Sequence, residues 1–159
     1  MKEIERMQKN LLLIRRTVGW TADEFGNRIG VSRQTINNLE AGRNKLSKTQ
    51  YIAIRSILDA EIAAYPDETE MLKLILEVFV DRPEEYPDKD REALLSKANM
   101  ITPSILAGST SRRNVSKELM ASAAAIGTFT AIITSMSRGL SAGSSTAAWL
   151  VKALINKEK

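Results

Sequence analysis

Apolar residues recur at three- and four-residue intervals from the start of the chain. Ile4, Met7, Leu11, Ile14 and Val18 form one stripe, which predicts a helix from Glu3 to Val18. Gly19 ends it, and Thr21 is placed to cap the next helix, with Glu24 three residues on to complete a capping box. The run GWTADEFGNRIGVSRQTINNLEAG, from Gly19 to Gly42, brings Phe25, Ile29, Val31, Ile36 and Leu39 to positions where two short crossed helices must touch. Gly26 stands at their closest approach, where a side chain would push them apart. Gly30 supplies the turn, since a positive φ costs glycine little. Ser32 is the expected cap of the second short helix, and Gly42 its end.

The pattern continues helical. Arg43-Asn44-Lys45 is a polar, basic loop, and Ser47 opens a further helix that carries Tyr51, Ile54, Ile57 and Leu58 inward and stops before Pro66. Thr69–Val80 is a short, strongly apolar helix closed by Asp81-Arg82-Pro83. Another starts at Pro87 or Asp88 and reaches Ala98, with Ala93, Leu94 and Ala98 inward. AGSTSRRN, residues 107–114, is small, polar and basic, the composition of a linker or exposed loop. Leu119–Met136 contains no charge and has Ser116 as its expected cap. Arg138–Ser144 breaks the pattern, and a last helix is expected over Ser145–Asn156. Ala123, Gly127 and Ala131 recur every four residues, as do Gly139 and Gly143, a spacing that lets helices pack closely. With β-branched alternation nearly absent, the expected fold class is all-α, ending in an αα-hairpin.

Composition narrows the chemistry. At 159 residues and 43% hydrophobic the chain suits one domain or two small ones. It has no cysteine and no histidine, which excludes disulfides, thiolate metal sites and a histidine base. No cofactor is implied. The charged start MKEIERMQKN carries no secretory signal pattern, and a cytoplasmic location is expected. The net charge of +4 is unevenly spread: residues 1–65 hold 11 basic against 7 acidic side chains, 66–97 hold 5 against 10, and 98–159 hold 7 against 2. A basic head suits a polyanion, and the acidic middle does not.

That head coincides with the glycine-turn motif. The exposed positions of its second helix carry Arg33, Gln34, Asn37 and Asn38, types that form paired hydrogen bonds to purine edges. Residues about 8–58 resemble the helix-turn-helix domain of the phage-repressor and Cro-like (XRE) family. The likeness includes Leu11-x-x-Ile14-Arg15-x-x-x-Gly19-Trp20-Thr21 before the motif and Glu40-Ala41-Gly42-Arg43 after it. The resemblance implies a lambda-repressor-like head and a sequence-specific transcriptional regulator, a repressor, acting on double-stranded DNA. It implies that Arg15 and Glu40 form a scaffold ion pair, and that Arg33 and Gln34 read bases, with Asn37 and Asn38 beside them. Thr21, Ser32, Arg43, Asn44 and Lys45 take the positions that meet the DNA backbone. Ala22 departs from the family, which often places a polar contact there. Arg28 is read as a solvated surface residue. One head spans few base pairs, so a dimer is expected.

The expected segments are the head at 1–65, a helical middle at 66–106, the linker at 107–114 and an Ala/Ser/Gly-rich oligomerisation region at 115–159. Membrane association of 119–136 competes with oligomerisation, since 18 uncharged residues reach the lower limit of a span. A third reading is a site for an effector or an antagonist protein, as in an antitoxin, and the sequence names no ligand. Enzyme readings fall away. Ala107-Gly108 could mark a self-cleaving repressor, but too little chain follows for the β-rich peptidase. Glu84, Glu85, Asp88 and Asp90 sit in a proline-flanked, solvated acidic stretch.

Overall fold

A computed structural model describes residues 2–137, and every regular element within them is helical. The stripe from Ile4 to Val18 makes two helices where one was expected, α1 (Lys2–Lys9) and α2 (Leu11–Val18). The break is at Asn10, which leaves the helical region with φ −104° and ψ 10°. Its side-chain amide donates to the Arg6 carbonyl at 2.8 Å, a local bond that competes with helix propagation. Met7, Leu11, Ile14 and Val18 stay buried across the bend.

The two crossed helices are α3 (Ala22–Ile29) and α4 (Arg33–Glu40). Phe25, Ile36 and Leu39 are buried, with Ile29 and Val31 packed half-buried against the core. A Cβ on Gly26 would stand 2.6 Å from the Val31 carbonyl oxygen, so the backbones meet where the sequence placed the contact. Gly30 makes the turn with φ +78°. Ser32 Oγ accepts from the Thr35 amide at 3.1 Å, and Thr21 Oγ1 from the Glu24 amide at 3.1 Å. Glu24 makes no return bond, so only half of that expected capping box forms. A complete one starts α5 (Lys48–Ala64), where Ser47 and Gln50 each bond the other's backbone. Tyr51, Ile54 and Leu58 of α5 are buried, and Ile57 is half-buried.

Helix α6 (Glu70–Leu76) runs on through a π-helical turn at Glu77–Asp81. It is apolar on nearly every side: Met71, Leu72, Leu74–Leu76 and Val78–Val80 are all buried. Such a helix has to be surrounded. Here α1, α2 and α5 cover it from the head, and α9 (Arg112–Ala124) and α10 (Thr130–Ser137) from the other side. Residues 1–65 and 66–106 therefore share one hydrophobic core.

Five sequence readings are corrected beyond this point. In α7 (Asp88–Ile101), Leu94, Ala98 and Ile101 face inward and Ala93 is exposed. Leu94, Ala98 and Ile101 follow one another at four and three residues, and Ala93, five residues before Ala98, falls on the solvent side of that stripe. After the short α8 (Pro103–Leu106), residues 107–110 form a loop, but Ser111 caps α9 by accepting from the Asn114 amide at 3.1 Å. Arg112, Arg113 and Asn114 are thus the first turn of a helix instead of linker. Ser116, expected as a cap, is buried within α9 and accepts from the Met71 amide at 3.0 Å.

The uncharged run is not one helix either. Helix α9 ends at Ala124, a 3-10 turn follows at Gly127–Phe129, and the chain from Gly127 to Met136 is bent by 112° from α9. Fully buried Phe129, its ring 5.5 Å from that of Tyr86, anchors the bend. Ala123 is buried while Gly127 and Ala131 are exposed, so the small residues form no shared stripe. No single helix among the described residues is long and apolar enough to cross a membrane. The expected helix Ser145–Asn156, its hairpin, and Gly139 and Gly143 lie outside the described residues.

Buried charges join the head to the middle of the chain. Arg55 of α5 donates from Nη1 and Nη2 to the Asp81 carboxylate at 2.8 and 2.7 Å, a bidentate pair. Asp59 is less well served. Its Oδ1 lies 3.6 Å from Arg55 Nε, beyond hydrogen-bond range, and its buried Oδ2 has no partner. Burial pushes the Asp59 carboxyl up to about 6, Arg55 opposing and Asp81 adding to the shift. The folded state thus holds this proton more tightly than the unfolded chain. The group's stabilising contribution is full below about pH 3.8 and is lost as pH rises to about 6. Asp59→Asn should flatten stability between pH 4 and 6 and raise it at pH 7.5 by about 1–3 kcal/mol. Urea unfolding at pH 4.5 and 7.5 checks this, and unchanged pH dependence would refute it.

Candidate nucleic-acid interface

The interface is built on a fixed angle between α2 and α4. Arg15 Nε donates to Glu40 Oε1 at 2.8 Å and Nη2 to Oε2 at 3.2 Å, while Nη1 donates to the Trp20 carbonyl at 3.1 Å. The side chains are 12% and 8% exposed, so this pair is largely withdrawn from water. It connects the last turn of α2, the chain entering Thr21 and the end of α4. Buried pairs of this type specify geometry more than they add stability.

Outward from that frame, Arg33, Gln34 and Asn37 are exposed and Asn38 is half-buried. Arg33 lies 4.0 Å from Asp23, with both side chains about two-thirds in solvent. A pair so exposed holds little and leaves the guanidinium ready to exchange partners. Gln34 Nε2 donates to Asn38 Oδ1 at 3.1 Å, and Arg43 Nη1 donates to the same oxygen at 3.0 Å. The structure therefore joins Gln34, Asn38 and Arg43 in one polar row, with Arg33 on the α3 side of it.

Thr21 and Ser32 are exposed caps whose oxygens already accept from helix amides. A hydroxyl keeps its own proton to donate, and for Ser32 that proton or that of Thr35 is engaged in their 3.0 Å contact. Arg43, Asn44 and Lys45 are all exposed on the loop after α4. Arg28 is exposed as read, yet it is held in place. Its guanidinium carbon lies 3.9 Å from the centroid of the Trp20 ring, which packs 6.0 Å from Phe25.

Two residues that sequence reasoning passed over organise this region. Gln8 of α1 bonds three backbone groups around the basic loop: Nε2 donates to Leu39 at 3.0 Å and Asn44 at 2.6 Å, and Oε1 accepts from the Leu46 amide at 3.0 Å. Arg112 of α9 donates to the Val18 carbonyl at 3.1 Å, to Glu61 at 2.8 Å and to Glu68 at 3.1 Å, with the Tyr65 ring centroid 5.4 Å away. Neither pattern has a local sequence signal, because the partners are tens of residues away.

An open cleft between the π turn and α10 is lined by Glu77, Arg82, Glu85, Tyr86, Thr128 and Ile132, among others. Its polar groups already engage one another. Arg82 Nε sits 2.8 Å from Glu77 Oε1, and the Tyr86 hydroxyl donates to that oxygen at 3.1 Å. Burial and the adjacent Glu77 carboxylate raise the Tyr86 phenol, keeping it protonated.

Residues 11–64, about a third of the chain, match the helix-turn-helix family. This segment, α2 to α5, is an XRE-like helix-turn-helix domain, the DNA-binding unit of a transcription regulator, in a family not normally enzymatic. Helix α1 and everything after Ala64 lie outside the match. No curated protein and no solved structure matches the chain.

Proposed function

We propose that the protein is a sequence-specific repressor that inserts α4 into the major groove and binds as a dimer or higher oligomer. The observation that carries this reading is the placement of four base-capable side chains, Arg33, Gln34, Asn37 and Asn38, on one helix. The Arg15–Glu40 pair locks that helix from behind while its outer face stays open to solvent. Arg33 pairs bidentately with guanine and Gln34 with adenine, the matches their donor geometry allows. Thr21, Ser32, Arg43, Asn44 and Lys45 flank the helix as contacts to phosphates, which fix register without reading sequence.

A helix of this length covers about 12 Å, or roughly three to four base pairs. Two heads on an inverted repeat supply the specificity one lacks, and the segment 115–159 is the proposed means of joining chains. Repression follows from occupancy of a promoter, with no further contact to polymerase required. The DNA partner places the protein in the cytoplasm.

Selection from random duplexes with the intact chain is expected to return an inverted repeat with half-sites about one helical turn apart. A pool that shows no enrichment overturns the reading. Lys45→Ala should weaken all duplexes alike and lower the salt slope of binding by about 1, measured by titration at several salt concentrations.

A further inference from the structure

Helix α1 precedes the segment matched by the helix-turn-helix family, yet it reaches the loop that follows α4. Its hydrogen bonds there come from one side chain. The Gln8 carboxamide uses both of its N–H donors, on the Leu39 and Asn44 carbonyls, and presents its oxygen to the Leu46 amide. The polarity of the carboxamide is thereby settled, since two acceptors face its nitrogen and one donor faces its oxygen. Leu39 and Leu46 flank the exposed stretch Arg43–Lys45, and Asn44 lies within it. Without Gln8 the Asn44 carbonyl and the Leu46 amide would have only water to satisfy them, while the Leu39 carbonyl keeps the Gly42 amide at 3.2 Å. The helix that delivers Gln8 is itself held from the far side, where Arg6 Nε donates to the Val80 carbonyl at 2.7 Å at the end of the π turn.

We propose that Gln8 is a positioning residue for duplex binding: its carboxamide holds the Arg43–Lys45 loop in the conformation that meets the phosphate backbone. The inference rests on the DNA-binding reading above. A loop ordered before binding loses less conformational freedom when it docks. Gln8 touches no base, so its influence falls equally on all sequences. It adds α1, and through Arg6 the middle of the chain, to the apparatus that sets affinity.

The test uses Gln8→Met in the full chain, because methionine preserves the length and packing of the side chain and removes all three bonds. Affinity for the selected duplex and for a random duplex is expected to fall about tenfold alike, with unchanged sequence preference and a salt slope lower by about 1. Exchange of the Leu46 amide in the free protein should accelerate at least about tenfold, while core amides keep their protection. Gln8→Glu keeps the acceptor for Leu46, loses both N–H donors and adds an anion beside the phosphates, so it should bind more weakly than Gln8→Met. Parent-like affinity and slope for Gln8→Met despite fast Leu46 exchange would overturn the inference, as would slow Leu46 exchange. A parent protein that binds no duplex would instead overturn the DNA-binding reading itself.

Discussion

Arg33→Ala combined with Gln34→Ala is expected to erase the preference for the selected duplex while leaving the unfolding midpoint unchanged. Each bidentate match is worth about 1–3 kcal/mol of discrimination, so the pair accounts for about 2–6 kcal/mol per half-site. The fold should not notice, because both residues are exposed and Arg33 has only the solvated Asp23 carboxylate nearby. Removing Gln34 also takes one donor from Asn38, but Arg43 still holds that oxygen, so the row keeps its second bond. Non-specific binding should survive, since it rests on phosphate neutralisation. Repeating the random-duplex selection with the double variant is the measurement. Recovery of the parental motif would show that bases are read elsewhere.

A second large effect is expected from Glu40→Ala. The substitution strips Arg15 of its counter-charge while the guanidinium remains only 12% exposed. Breaking a buried pair by removing one partner costs about 3–5 kcal/mol, a large part of the 5–15 kcal/mol that holds a typical domain together. The loss should appear as a lower urea midpoint and, with it, weaker binding to every duplex. Arg15→Met with Glu40→Leu removes both charges and should recover much of the stability, as apolar replacements of buried pairs do. A shift below about 1 kcal/mol for Glu40→Ala would mean that the pair does not brace α4.

These two predictions draw on different kinds of legibility. The crossed pair α3–α4 was readable because each of its determinants is local. Caps act over three residues, apolar spacing over four, and Gly26 and Gly30 at single turns, and they appear in the structure where the spacing put them, save for the missing return bond from Glu24. The types of side chain on the outer face of α4 were readable for the same reason. Their linkage was not: nothing in the run from Arg33 to Arg43 announces that Gln34 and Arg43 converge on one oxygen of Asn38.

Errors gathered where long-range packing overrides local pattern. The run from Leu119 to Met136 reads as one helix because no charge or proline interrupts it. Phe129 breaks it by burying itself against Tyr86, and the Thr128 hydroxyl bonds Asp90 of α7. Arg112 looked like linker among small polar neighbours, and became the first turn of α9 because Glu61, Glu68 and the Val18 carbonyl converge on it. At Asn10 the cause was local after all, a side chain bonding its own helix, but asparagine leaves that choice open in the sequence.

By itself, then, the sequence determined an all-α chain, a helix-turn-helix head with its caps and turn, and the set of polar side chains that head presents to solvent. Those features follow from interactions between residues a few positions apart, which periodicity and capping chemistry encode directly. Only the tertiary structure decided that α6 lies sheathed between the head and α9, that Arg112 and Arg55 bind the two halves, and that Gln8 grips the loop beyond α4. Such pairings depend on which apolar faces bury one another, and many distant partners satisfy the same local pattern equally well until the core closes.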